Sequence, residues 1–290
     1  MKICRFDDDR LGLVSGADVI DVSAALEALP PVRWPYPPGD ALAAGFAQLA
    51  PAIAEAAKRG VRRPLAQVRL RSPVANPGKI IGAPANYMKH VAEVAADRQI
   101  NQGVVGKTID ELGLFLKAGS SLVGPAEGIT AHFPDRRTDF ETELVVVIGK
   151  RGKDIPRERA FDHILGYCIG LDMSVRGPED RSLRKSVDSY TVLGPWLVTR
   201  DEVDNPDALQ LRMRVNGEER QNSSTAQMIF DVAKLIVYAS RFYTLEPGDL
   251  IYTGTPEGVG PVVPGDRLEA TIDKLGTLAL QVHARKGDGQ

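Results

Sequence analysis

Five consecutive apolar residues, Leu144-Val145-Val146-Val147-Ile148, follow directly on Glu141-Thr142-Glu143, and no other stretch limits the fold as tightly. Such a run reads as a buried strand. Side chains alternate across a strand, so Glu141 and Glu143 leave one face and Thr142 the other. Two carboxylates side by side against a buried strand repel each other and are costly to desolvate. A hard divalent cation with oxygen ligands is the natural compensation. The plain alternative is a solvated strand end carrying two surface acids.

A chain of 290 residues, 43% hydrophobic and 26% charged, can bury a sizeable core in one large domain, or in one large and one small. Its net charge of -2 offers no general attraction to nucleic acid or to an anionic membrane, so neither is an expected partner. Cys4 and Cys168 stand far apart in apolar, strand-like surroundings. They form neither a metal-spacing motif nor a disulfide framework, which suits a reducing cytoplasm. The N-terminal stretch through Asp9 lacks the apolar segment of a signal peptide. Gln48, Pro51, Glu55 and Lys58 interrupt the Ala-rich stretch 41–58, which predicts a pair of soluble helices and no membrane span. A short polar end runs from Arg285 to Gln290.

Residues 2–22 alternate apolar and polar positions with turn signals at Asp7-Asp8-Asp9 and Ser15-Gly16-Ala17-Asp18, predicting a meander of short strands. Pro30, Pro31, Pro35, Pro37 and Pro38 form a stiff connector to the Ala-rich helices. The turn cluster Val74–Gly78 places a boundary near residue 72, between a small N-terminal α+β domain (1–72) and a catalytic domain (73–290). Beyond it, strands are predicted at Glu143–Ile148, Tyr167–Leu171, Trp196–Thr199, Leu211–Val215, Leu250–Tyr252 and Arg267–Ile272. One helix is expected to start at the capping pattern Ser224-Thr225-Ala226-Gln227, carry Ile229, Ala233, Ile236 and Ser240 at helical spacing, and stop before Glu246-Pro247-Gly248-Asp249. Strands without alternating helices imply an α+β, mostly β fold.

Several residues outside the glutamate pair carry chemistry. Asp172 ends a short apolar strand, where it serves either as a turn residue or as a third oxygen ligand converging on Glu141 and Glu143. His90 and Glu93 lie three apart on an expected helix, the spacing of a general-base dyad and equally of an exposed ion pair. The loop Thr253-Gly254-Thr255-Pro256-Glu257-Gly258-Val259-Gly260 lacks a phosphate-loop ending, so nucleotide binding is not expected. Its glycines either make a tight turn or let backbone amides and the Thr255 hydroxyl approach a carboxylate. Lys117 and Lys185 are candidates for an anionic substrate or ordinary surface cations. His132, His163 and His283 have no acidic partner at helical spacing and are expected at the surface or at caps.

In order along the chain, these pieces resemble the fumarylacetoacetate hydrolase family. The series is Gly82, Asn86-Tyr87, His90 and Glu93, then Phe115-Leu116-Lys117, Ser120 and Val123-Gly124-Pro125. It continues through Asp139-Phe140-Glu141-Thr142-Glu143-Leu144, Gly166-Tyr167, Asp172, Arg176, Lys185-Ser186-Val187-Asp188 and Leu193-Gly194-Pro195-Trp196. Leu245-Glu246-Pro247-Gly248-Asp249, Thr253-Gly254-Thr255-Pro256 and Gly258-Val259-Gly260 complete it, covering nearly all of 78–280.

The resemblance implies a mixed β-roll or sandwich, commonly a homodimer, in which Glu141, Glu143 and Asp172 hold Mg2+ (or Mn2+ or Ca2+). It implies His90 and Glu93 as a dyad on a lid, Lys185 as a catalytic group beside the metal, and Tyr87, Lys117, Arg176 and Thr255 as substrate-binding residues. The expected partner is a small 2-oxo or 2,4-dioxo acid, and the expected reaction hydrolysis of a carbon–carbon bond in an acylpyruvate. A 2-oxo diacid decarboxylase or tautomerase is the alternative. A non-catalytic metal-binding scaffold is a third reading, which would have no need of the His90–Glu93 pair. The chain departs from the family at Ala83-Pro84-Ala85, at Gly177 and Glu179 after the Arg176 motif, and in the longer segment 95–112. Those differences bear on substrate choice and on the lid.

Overall fold

The computed structural model describes residues 1–101 and 105–285. Three residues of the long 95–112 segment and the last five of the polar end lie outside the described residues. The apolar run Leu144-Val145-Val146-Val147-Ile148 lies in the strand Thr142–Ile148, buried along its whole length. It pairs antiparallel with Ile164–Asp172 on one side and with Leu250–Tyr252 on the other, inside a twelve-stranded sheet. Both faces are covered: Leu144, Val146 and Ile148 enter the main apolar cluster, while Val145 and Val147 join a second one with Leu193 and Tyr252. A strand buried on both faces needs apolar residues at every position, which explains the uninterrupted run.

The sheet continues from Ile164–Asp172 to Thr191–Thr199 and then to the N-terminal meander of Lys2–Phe6, Arg10–Ser15 and Asp18–Asp21. Lys2 and Ile3 lie opposite Val198 and Leu197. The helices Ala41–Ala44 and Phe46–Ala56 fold over this end, where Ile3, Val22, Leu49 and Ile53 form an apolar cluster of their own. At the opposite edge Leu250–Tyr252 pairs parallel with Ile80–Gly82, which carries Phe115–Lys117. A five-stranded sheet contains Gln210–Val215 and Arg267–Ile272, and a three-stranded sheet contains Thr138–Phe140 and Ser174–Val175. The result is strand-dominated α+β, as expected. Among the described residues no helix is long and apolar enough to cross a membrane.

Two expectations need correction. The helix expected from Ser224 runs only from Val232 to Phe242, capped by Asp231. Ser224 caps a separate single turn, Thr225–Gln227. Between them, the Ile229 N–H donates to the Asn86 carbonyl (2.8 Å) and the Phe230 N–H to Asn86 Oδ1 (2.7 Å), so these donors leave the helical pattern. His132 is not a surface residue. Its ring is half-buried 6.0 Å from that of Tyr190.

Candidate active site

The first site residue sits where the chain changes sheets. Glu141 lies between Thr138–Phe140 of the three-stranded sheet and Thr142–Ile148 of the large one. Antiparallel register then decides its neighbour. Thr142 faces Leu171, so Glu141 stands opposite Asp172, and the Asp172 N–H donates to the Glu141 carbonyl (2.9 Å). Strand alternation returns Glu143 to the same side. Ligand oxygens of Glu141, Glu143 and Asp172 all lie within 4.8 Å of one another, and all three residues are buried.

Each carboxylate is held differently. Glu141 Oε2 accepts from Lys185 Nζ (2.6 Å), and its Oε1 accepts from the Ser174 hydroxyl (2.9 Å) and Arg176 Nη2 (3.0 Å). Burial works against its ionisation, but Lys185, Arg176 and His90 outweigh burial and hold its pKa well below the usual carboxylate range. Asp172 accepts from Lys185 Nζ (2.6 Å) and is ion-paired with the fully buried Lys117. Lys117 also donates to the Tyr190 carbonyl (2.9 Å). Burial opposes the charge on Lys185, yet Asp172 and Glu141 hold its pKa above the usual lysine value.

Glu143 is the exception. It accepts the Gly254 N–H (2.6 Å) and forms no ion pair with any described residue. Burial, then the charges of Asp172 and Glu141, push its pKa well above the usual range. A positive charge beside Glu143 is therefore what the triad lacks. The all-oxygen donor set suits a hard divalent cation, so the residues present fit a metal centre.

The Gly254 amide reaches Glu143 because the loop is pinned from behind. Gly254 has φ +95°, and a Cβ there would lie 2.8 Å from the Asn86 Cβ. Asn86 Nδ2 donates to the carbonyls of Phe230 (3.0 Å) and Thr253 (2.8 Å). Removing this side chain strands three buried backbone partners. Asn86→Ala should cost about 3 kcal/mol and lower Tm by roughly 6 °C, read by thermal unfolding. A Tm within a degree of wild type would remove Asn86 from the framework of the site.

The triad opens into a cavity of about 960 Å³, lined by His90, Phe115, Lys185 and Thr255 among others. His90 lies on the helix Met88–Ala96. Its Nδ1 is 2.8 Å from Glu93 Oε2, and Glu93 Oε1 accepts the Gly258 N–H (2.9 Å). The ring is thus oriented by an acid that is itself held, and Nε2 is the nitrogen left for the cavity. Thr255 Oγ1 accepts from Gln221 Nε2 (2.8 Å). Arg176 lines the cavity while binding Asp139 (2.8 Å) and Glu141, so it braces a triad member. Tyr87 is not among the residues that line the cavity; it is fully buried, and its hydroxyl has no partner among the described residues.

Sequence reasoning gave Asp139 no role beyond its place in the motif and did not single out Arg137, Ser174 or Gln221. Arg137 joins Asp139 (2.7 Å) to Asp97 (2.9 Å), just past the His90 helix, so ion pairs run from Glu141 through Arg176 and Asp139 to that helix end. No local spacing signals such contacts. Arg181 and Arg184 were also overlooked, although with Lys185 they show the i, i+3, i+4 spacing of one helix face and lie on the short helix Arg181–Lys185.

Comparison with known proteins is consistent with this geometry. Residues 79–283 match the family model described as fumarylacetoacetate (FAA) hydrolase C-terminal. A maleylpyruvate hydrolase from Aquipseudomonas alcaligenes is 54% identical over 286 residues, covering 98% of this chain and 100% of that protein. A mitochondrial oxaloacetate tautomerase from Bos taurus is 37% identical over 287 residues, covering 94% and 87%. The crystal structure of a maleylpyruvate hydrolase from Sphingobium sp. SYK-6 with manganese(II) ion and pyruvate superposes with a TM-score of 0.83, at 39% identity, covering 99% of this chain and 100% of that one.

Proposed function

Because the chain belongs to the fumarylacetoacetate hydrolase family, we propose that it hydrolyses a carbon–carbon bond of an acylpyruvate, with maleylpyruvate or a similar compound as substrate. The observation that carries this reading is one cavity in which a buried triad, Glu141, Glu143 and Asp172, faces an acid-oriented histidine. The 54% identity to a maleylpyruvate hydrolase over its full length supports the substrate class.

The 2-oxo acid end of the substrate lies against the triad, where Lys185 and Lys117 add positive charge. When bound, a divalent cation would be held by Glu141, Glu143 and Asp172 and would supply positive charge against the 2-oxo acid end. His90, its Nδ1 fixed by Glu93, takes a proton through Nε2 from a water that attacks the remote carbonyl. The bond between that carbonyl carbon and the pyruvate methylene then breaks. Its electron pair passes to the pyruvate part as an enolate, and the acyl part leaves as a carboxylic acid. The proton held by His90 returns to the enolate carbon, so one water is consumed and pyruvate is released.

We propose magnesium as the resident ion, with manganese or calcium able to replace it; the manganese complex of the Sphingobium protein supports a divalent ion of this class. A cytoplasmic setting accords with Cys4 and Cys168, both buried and unpaired.

Incubation of the purified protein and magnesium with maleylpyruvate, acetylpyruvate or oxaloacetate, followed by NMR, tests the reading. The expected result is equimolar carboxylic acid and pyruvate from an acylpyruvate. With no acylpyruvate cleavage, enolisation of oxaloacetate would overturn it in favour of the tautomerase relative's chemistry, and release of carbon dioxide in favour of a decarboxylase.

A further inference from the structure

The cavity that holds the triad is also lined by cations that have no ion-pair partner among the described residues. Arg98, Lys107, Arg181 and Arg184 all line it. None of the four forms an ion pair with a described residue. The acids on the same wall are already engaged. Glu179 takes both terminal nitrogens of Arg136 (2.9 and 2.7 Å), and Asp180 Oδ1 accepts the Ser182 N–H (2.8 Å). In a protein of net charge -2, such a surplus is local.

Arg181 and Arg184 are the inner two. The Arg181 guanidinium lies 5.3 Å from the centroid of the Phe115 ring, and Lys185 Nζ lies at the same distance from that ring. Phe115 therefore stands beside both cations: Lys185, which reaches the triad, and Arg181, one helical turn away. Arg184 is buried and spends its Nε on the Glu179 carbonyl (2.8 Å). Burial lowers the pKa of both guanidiniums below the arginine value. An unpaired cation with little solvent is costly, and an arriving anion relieves that cost. A carboxylate fits the guanidinium fork.

We propose that Arg181, supported by Arg184, binds a second carboxylate at the far end of the substrate, making the enzyme selective for acylpyruvates whose acyl chain ends in an acid. This rests on the acylpyruvate reading and names the substrate class within it. Arg181 is then a specificity-determining residue that reads the end of the substrate remote from the bond that breaks.

The test compares maleylpyruvate with acetylpyruvate, which lacks the distal carboxylate, in wild type, Arg181→Met and Arg181→Lys. The ratio of kcat/KM for the two substrates should fall about thirtyfold in Arg181→Met, the range expected for one charged hydrogen-bonded contact. Arg181→Lys should recover part of it. A ratio unchanged in Arg181→Met would overturn the proposal. A second readout does not require turnover: calorimetry of the magnesium-loaded protein with 2-oxoglutarate and 2-oxobutyrate. Preference for 2-oxoglutarate that disappears in Arg181→Met supports the carboxylate site even if no acylpyruvate is cleaved, in which case only the hydrolase reading falls. Equal affinity of wild type for the two acids overturns the site itself.

Discussion

His90→Ala should lower kcat about 10³-fold, within the range that a positioned general base contributes, while the protein keeps its affinity for magnesium. The ring has no hydrogen bond to the triad carboxylates; its Nδ1 is occupied by Glu93 and its remaining nitrogen belongs to the cavity. Truncation therefore removes the proposed proton acceptor and leaves the oxygens of Glu141, Glu143 and Asp172 in place. Steady-state release of pyruvate measures the first effect, and calorimetric titration with magnesium the second. A variant with kcat within threefold of wild type would end the dyad assignment. Glu93→Gln should fall between the two proteins, because the amide still holds the ring through Nδ1 but no longer stabilises the imidazolium.

Glu141→Gln should weaken magnesium binding at least as much as the 10–100-fold that loss of a mere supporting contact costs a metal site. The side chain keeps its length and an acceptor for Ser174, so the defect is one of charge. It also leaves Lys185 and Arg176 without one of their shared anions. Breaking a buried pair of this kind typically costs about 3–5 kcal/mol, so thermal unfolding should show a lower Tm even without metal. Magnesium added to wild type should raise Tm by mass action, and that increment should shrink in the variant. Unchanged magnesium affinity would remove Glu141 from the ligand set.

The legible parts of this chain are those in which neighbours in sequence do the work. Leu144–Ile148 announces a strand covered on both faces, and alternation alone puts Glu141 and Glu143 on one side. The spacing of His90 and Glu93 becomes a 2.8 Å contact because a helix turn brings such positions together. Leu250–Tyr252 and Arg267–Ile272 form strands with the boundaries expected from pattern. The helix start at Ser224 failed for a non-local reason. Asn86, far earlier in the chain, takes the Ile229 and Phe230 donors that the helix would have used.

Sequence by itself thus put Glu141 and Glu143 on one side of a strand and His90 beside Glu93 on a helix, since each pairing rests on a period of two or of 3.6 residues. Tertiary structure decided everything that depends on which strand lies beside which. Register set Asp172 opposite Glu141, and a left-handed glycine aimed the Gly254 amide at Glu143. Packing brought Lys117 and Lys185 onto Asp172 and left Glu143 without an ion pair among the described residues. Hydrophobic period is a property of local backbone geometry, whereas the environment of a buried charge is set by whatever the rest of the chain folds against it.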